Sequence, residues 1–316
     1  MHTTTNLYLV SLAVTDLIYT TTGITEKIYK YLGSPIYGDF VYSLDISCML
    51  VPLIKNTGLF ASQFLVAVFS YERYCAVCHP LTSHRIGSKR RAYKHITITC
   101  VISLVLAASI VTSSAKRIVY CMVWPADEET LFLPDTRIIC APIKEGYMCY
   151  AEFAQTIPFF TVMIFSNTAY VLIIREIRSS ARNTKLKRAD SKRPIKESIQ
   201  ITKMLIINGA LFFFLMAPFH TLSLCTMIGR MRGGIYALSD DTYRCLLQAF
   251  RILAYYNAVV DPVIYSAVNP SYRNAMHHVL CAPLKLKRKR QNSSYSMSYL
   301  LSERDRRPSN TLTTSI

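Results

Sequence analysis

Residues 44–78 read LDISCMLVPLIKNTGLFASQFLVAVFSYERYCAVC, and this stretch decides the fold. At about 1.5 Å per helical residue it crosses a hydrocarbon layer of roughly 30 Å with turns to spare. It is too long and too apolar for the core of a small soluble domain. Yet it carries Cys48, Lys55 and Asn56 toward one end, Ser62 near its middle and Glu72-Arg73-Tyr74 at the other end. Ionisable groups in a membrane helix are costly and mark function by default.

Working outward, five more apolar spans follow the same pattern: Asn6–Tyr29, His95–Ala115, Ala151–Ile174, Ile199–Ile228 and Cys245–Val268. They are apolar nearly all round, where soluble helices show one polar face. The 316 residues are 51% hydrophobic and 17% charged, against about a quarter charged in a soluble domain. The expectation is an all-α membrane bundle of six transmembrane helices. No internal repeat argues for an inverted-repeat transporter.

The formal charge of +17 first suggests nucleic acid or an anionic surface, and its placement decides. The connections His79–Lys94 and Arg175–Lys203 and the tail from Asn269 hold 24 basic and five acidic residues; the alternate connections, Glu26–Asp45, Lys116–Glu152 and Gly229–Arg244, hold nine and eleven. The positive-inside rule places the first set, and with it the carboxyl terminus, in the cytoplasm. The charge is topological, and no nucleic-acid partner is expected. An even number of spans then leaves Met1 with almost no leader, and Asp16 wants polar neighbours; both point to a helix ahead of Met1 that the chain lacks. Residues 1–281 read as the membrane domain and 282–316 as a basic, Ser/Thr-rich tail, disordered and open to phosphorylation. Between them Arg273–Leu280 is a short amphipathic stretch, read as a helix on the membrane surface or as a frayed helix end. Cys281 closes it, as a palmitoylation site or a free thiol.

The polar residues left inside the spans define the candidate machinery. Glu72 and Arg73 can pair at a membrane lip and act as a latch, although an isolated Arg at a helix end more often only snorkels. Asp16 and Asp261 lie near mid-membrane, with Ser62 at similar depth and Asn257 one turn before Asp261; hard oxygen ligands suit sodium, and a protonated carboxyl pair in a dry core is the plainer reading. Pro158, Pro218 and Pro262 bend three spans. Lys55, Asn56, Phe60, Phe219, His220, Arg251 and Tyr255 are expected to line an outward cavity that favours an anionic or carbonyl-rich ligand, unless the cations pair with outer acids such as Glu152. Cys48 has three candidate partners in the outer connection and beyond it, Cys140 ranked before Cys121 and Cys149. Ten cysteines are too few for a disulfide scaffold. The scattered histidines show no nucleophile–base or metal-ligand spacing, so no enzyme is expected.

These motifs together resemble a rhodopsin-like G-protein-coupled receptor, most like peptide receptors of the thyrotropin-releasing hormone receptor type. The resemblance is carried by Asn6-Leu7-Tyr8-Leu9-Val10-Ser11-Leu12-Ala13-Val14-Thr15-Asp16, Glu72-Arg73-Tyr74 with Cys78-His79-Pro80, Thr202-Lys203-Met204-Leu205, Phe212 with Pro218, and Asp261-Pro262-Val263-Ile264-Tyr265. It implies that the six spans match the family's second to seventh helices and that the protein is a multi-pass receptor of the plasma membrane. Asp16, Ser62, Asn257 and Asp261 would hold an allosteric sodium ion. Arg73 would be released on activation to meet a heterotrimeric G protein, Tyr265 would swing inward, and Cys48–Cys140 would be the disulfide. Arg251 stands where the hormone receptor uses an Arg, which implies a neuropeptide ligand, short and amidated. The tail implies arrestin and a receptor kinase as further partners, with membrane lipid around the bundle. A non-signalling receptor fragment and a six-span channel or transporter are the alternatives. The chain departs from the pattern at Cys100 and Met216, each in place of a Trp, and at Ser166, in place of a Tyr, with Tyr170 one turn later. Asn56, Phe60 and Phe219 replace hormone-pocket residues, so the ligand is expected to differ from that hormone.

Overall fold

The computed structural model describes residues 4–32, 45–79, 88–114, 116–123, 135–141, 145–184, 192–232, 239–268 and 273. Six long helices run through them: α1 (Thr4–Leu32), α2 (Asp45–Cys78), α3 (Lys89–Ser114), α4 (Glu145–Thr184), α5 (Lys192–Met231) and α6 (Asp240–Val268). A two-stranded antiparallel hairpin, β1 (Lys116–Cys121) and β2 (Thr136–Ala141), lies between α3 and α4. The chain divides into two compact units at Ile264/Tyr265. The first holds the bundle; of the second only residues 265–268 and 273 are described.

Five of the helices are long and apolar enough to cross a bilayer, over Thr4–Ile28, Ile46–Cys78, Lys89–Thr112, Cys149–Ser179 and Thr202–Met231. The sixth, α6, has the length at 29 residues, but Asp240, Asp241, Arg244, Arg251 and Asp261 dilute its apolarity. Each helix matches an expected span, and several overrun it. Helix α4 continues to Thr184 and α5 begins at Lys192, because the Arg- and Lys-rich flanks are themselves good helix formers. Ser88 stands before α3, where its backbone oxygen accepts from Ala92 N at 3.2 Å and its hydroxyl lies 3.4 Å from Arg91 N; Ser239 does the same for α6, with Tyr243 N at 2.9 Å. Both are ordinary N-cap residues.

Helix α2 is the hub. It packs against α1, α3, α4 and α5 and touches β1. Burial is inverted relative to a soluble protein. Val10, Val14 and Leu17 on α1 and Val101, Leu104 and Val105 on α3 face outward, while Asp16, Ser62, Gln63, Asn208, His220 and Asn257 are buried. Apolar surface faces lipid at no cost, so polar side chains turn inward where neighbouring helices satisfy them. Pro52, Pro158 and Pro218 sit inside continuous helices, as does Pro262. The hairpin was not expected from the sequence. It pairs Arg117 with Cys140 and is tied to the amino-terminal end of α2 by the Cys48–Cys140 disulfide. This settles the partner of Cys48; Cys121 and Cys149 are free thiols.

Candidate functional site

The carboxyl-terminal end of α2 holds Arg73 among several partners, with its Nε left without one among the described residues. Its Nη2 donates to the Thr5 hydroxyl of α1 at 2.8 Å and lies 3.4 Å from Glu72 Oε1. The guanidinium also sits 5.6 Å above the Phe69 ring. Phe69 stacks on Tyr8 at 5.5 Å, and Tyr8 OH reaches His95 Nδ1 at 3.3 Å. The residue is only 9% exposed, so these partners replace hydration that a buried cation has lost. Tyr74, the third member of the sequence triad, turns toward His79, with its hydroxyl 3.3 Å from Nε2.

One turn along α2, Ser70 lies 2.8 Å from the Tyr170 hydroxyl of α4. The Tyr170 ring rests where α5 has Gly209, and a Cβ there would overlap it. Ser166, four residues earlier, is buried without a hydrogen-bond partner for its hydroxyl among the described residues.

At mid-bundle the Ser62 hydroxyl donates to Asp16 Oδ1 at 2.6 Å. Both are buried, as is Asn257 on α6, whose Oδ1 has no hydrogen-bond partner among the described residues. The backbone of Asp261 lies in α6, and its side chain lies outside the described residues. A carboxylate, a hydroxyl and an orphaned amide oxygen are the hard donors a sodium ion takes, so the residues present fit it. Among the described residues no group of three or more His, Cys, Asp and Glu could hold a metal.

Above this layer His220 is fully buried and stacks on Phe159 at 4.0 Å. Gln63 approaches its Nε2 at 3.2 Å; with the Gln63 amide donating, the ring proton sits on Nδ1. Phe212 is buried beside Phe159 and Phe213, and Met216 is buried on the same helix. Toward the mouth Arg251 lies 5.9 Å above the Phe219 ring. Tyr255 meets Tyr19 at 5.3 Å and covers Gly23. Lys55 pairs with Glu26 of α1 at 2.5 Å, and Glu26 also meets Lys27 at 3.4 Å. Glu152 pairs instead with Arg230 at 3.6 Å.

The structure therefore brings the expected cavity residues into separate settings. Arg251 lies over Phe219, Tyr255 meets Tyr19, and Lys55 pairs with Glu26, while Asn56 is half-buried on the same helix as Lys55. His220 is fully buried against Phe159. Phe60 faces elsewhere: it is fully buried against Ala107, Ile110 and Ala154, with Leu53 and Phe64 around it. A helix apolar all round offers no periodicity from which to read that direction. Glu26 was missed because the sequence boundary placed it in a connection, and Thr5 because it lies one residue before the expected first span. The side chains of Pro262 and Tyr265, the stretch Arg273–Leu280 apart from Arg273, Cys281 and the tail lie outside the described residues.

The family pattern described as 7 transmembrane receptor (rhodopsin family) matches residues 1–265. The thyrotropin-releasing hormone receptor of Gallus gallus is 28% identical over 330 residues, which covers 95% of this chain and 76% of that receptor. The QRFP-like peptide receptor of Branchiostoma floridae is 24% identical, covering 89% of this chain and 70% of its own. Galanin receptor 2a of Danio rerio is 26% identical, covering 88% and 69%.

Proposed function

Because the chain belongs to the rhodopsin family of seven-transmembrane receptors, a family of receptors and not of enzymes, we propose that it binds an extracellular neuropeptide, short and amidated, and activates a heterotrimeric G protein from the plasma membrane. The observation that carries this reading is the caged guanidinium of Arg73, a buried cation held at one end of the hub helix by Glu72 and Thr5. A charge stored this way costs free energy unless it is released for a partner, and backbone carbonyls of a docked G-protein segment are suitable acceptors. The relatives' names, a thyrotropin-releasing hormone receptor, a QRFP-like peptide receptor and a galanin receptor, support a peptide ligand. They give no support to a channel, a transporter or a non-signalling fragment.

The mechanism is a population shift. Peptide enters at the mouth, where Arg251 offers its cationic edge to a carbonyl or amide oxygen, with Tyr255 and Phe219 beside it and Asn56 on α2. Contact on α5 and α6 bears on His220, Phe212 and the helix segments around Pro218 and Pro262, and favours the state in which the inner ends separate. Tyr74 and Tyr265 accompany the freed Arg73 on the cytoplasmic side, where the carboxyl-terminal tail recruits a receptor kinase and arrestin and Cys281 carries a palmitoyl anchor. Asp16, Ser62, Asn257 and Asp261 would hold a sodium ion, which supplies a positive charge that steadies the ionised carboxylates of the resting bundle.

The test is nucleotide exchange on added G protein by the full chain, screened against short amidated peptides. An active peptide should lose potency at least tenfold in Arg251→Ala, and Arg73→Ala should abolish exchange while leaving peptide binding intact. Ion flux through reconstituted vesicles, with no exchange for any peptide, would overturn the reading.

A further inference from the structure

On the outside of the bundle, between α2, α3 and α4, lies a cavity of about 410 Å³ that takes no part in the site described above. Its walls are Phe64, Ala67, Val68 and Tyr71 from α2, His95, Ile98, Thr99 and Ile102 from α3, and Phe165 from α4. The spacings on α2 and α3 are those of one helix face, so both helices present a whole stripe to it. Tyr71, Ile98, Ile102 and Phe165 are all exposed, and all lie within spans long and apolar enough to cross the membrane. The cavity thus opens toward lipid, and its lining is apolar except at the end where Tyr71, His95 and Thr99 meet. Beyond that end, one turn before His95 on the same face of α3, comes Arg91, with Lys94 beside it. Both are exposed, and neither has an acidic partner among the described residues.

We propose that this groove binds an anionic phospholipid, with one acyl chain lying between Val68, Ile98, Ile102 and Phe165 and the phosphate held by Arg91 and Lys94. Two facts select this occupant. The volume is about that of a single helical turn with its side chains, which suits a flexible chain and is too small for the length of a partner helix. The charge gradient runs from an apolar slot to two unpaired cations at the membrane boundary, which matches a lipid from head to tail. The site also touches the latch. His95, at the polar end of the slot, bonds Tyr8, which stacks on Phe69 beneath Arg73.

The inference rests on the membrane-receptor reading of the bundle but not on its ligand or its G protein. The test therefore uses neither. The full chain is reconstituted in phosphatidylcholine nanodiscs carrying a phosphatidylserine with a photoreactive group in one acyl chain, and adducts are mapped by mass spectrometry. Adducts should concentrate on peptides holding residues 64–71, 95–102 and 165. They should fall severalfold in Ala67→Trp, which fills the slot, and in the doubly substituted Arg91→Glu/Lys94→Glu, which reverses the charge. The charge variant changes only exposed side chains, so it carries the test where the Trp variant does not fold. Adducts spread evenly over outward faces such as Val10 and Val105, equal labelling by photoreactive phosphatidylcholine, or chain-to-chain cross-links through the slot would each overturn the proposal. A nanodisc bilayer is the same on both sides, so an error in the assigned topology would leave the labelling unchanged and show itself only in orientation mapping.

Discussion

Arg73 and Thr5 are 68 residues apart in sequence and 2.8 Å apart in space. Their hydrogen bond ties the inner end of the hub helix to the first turn of α1. Glu72, the neighbour with which Arg73 was expected to pair, lies farther away at 3.4 Å. The stronger hold on the guanidinium is thus exerted by a different helix, and opening it requires α1 and α2 to part or Arg73 to change rotamer.

Removing the hydroxyl tests this. A hydrogen bond to a charged group contributes about 1.5–3 kcal/mol, and each 1.4 kcal/mol is about tenfold in an equilibrium. Thr5→Val keeps the shape and deletes the acceptor. Basal nucleotide exchange without ligand should rise about tenfold to a hundredfold, while Arg73→Ala in the same background should return it to zero. Unchanged basal exchange in Thr5→Val would show that the cage does not restrain activation.

The pair Lys55–Glu26 makes a second prediction at the opposite end. The side chains are 22% and 14% exposed, so the pair is neither a solvated surface contact nor a fully dry one. Surface pairs contribute at most about 1 kcal/mol, and breaking a buried pair costs about 3–5 kcal/mol. Lys55→Met or Glu26→Gln should each cost about 1–3 kcal/mol, read as a lower melting temperature of the purified protein. The exchanged pair Glu26→Lys/Lys55→Glu should recover most of the loss in a double-mutant cycle. If the exchange recovers nothing, the two residues act separately.

The disulfide gives a third. Cys48 and Cys140 are 92 residues apart, for which chain entropy alone gives about 4.6 kcal/mol. That is an upper bound here, because α2 and α3 are already fixed by the membrane. Cys140→Ser should therefore leave the helices inserted and loosen the β1–β2 hairpin above the mouth. Peptide affinity should drop by an order of magnitude or more with little change in helical circular dichroism. Loss of helix content would mean that the bond supports the bundle itself.

How much of this was legible in the sequence follows from what each feature depends on. The helices were readable because length and apolarity are themselves the physical requirement for crossing a bilayer. Glu72 beside Arg73, and Asp16 at the depth of Ser62, stood out because charge is rare in such segments. What failed was direction. Phe60 was expected in the cavity but packs against Ala107, Ile110 and Ala154, since a helix greasy on every side carries no phase from which to read the direction of one residue. Lys55 was weighed against outer acids such as Glu152, because Glu26, in the last turn of the expected first span, was counted with the connection that follows it. The hairpin was missed because its connection was read only for charge and cysteines, although Ile118 and Val119 in one strand and Thr136, Ile138 and Ile139 in the other are ordinary strand formers. The polar end of the lipid-facing slot needed the fold as well, since His95 and Tyr71 are distant in sequence and meet only when α2 and α3 pack.

The last prediction concerns Gly58, where α1 and α2 approach closely. A Cβ at this position would lie 3.0 Å from Tyr19 N and 3.1 Å from the Thr15 carbonyl oxygen, both backbone atoms. Backbone cannot swing aside as a side chain can, so any larger residue must push the helices apart. Gly58 is one turn before Ser62, and Thr15 is adjacent to Asp16. The same displacement therefore pulls the Ser62 hydroxyl away from Asp16, whose bond is 2.6 Å. Gly58→Ala should cost about 1–3 kcal/mol, the usual range for overpacking, and Gly58→Leu should prevent assembly of the bundle. In Gly58→Ala any stabilisation by sodium chloride over potassium chloride should shrink together with the melting temperature, and Asp16→Asn should abolish it outright. If Gly58→Ala lowers stability yet retains the full sodium effect, the contact between α1 and α2 is structural alone and the ion is held elsewhere.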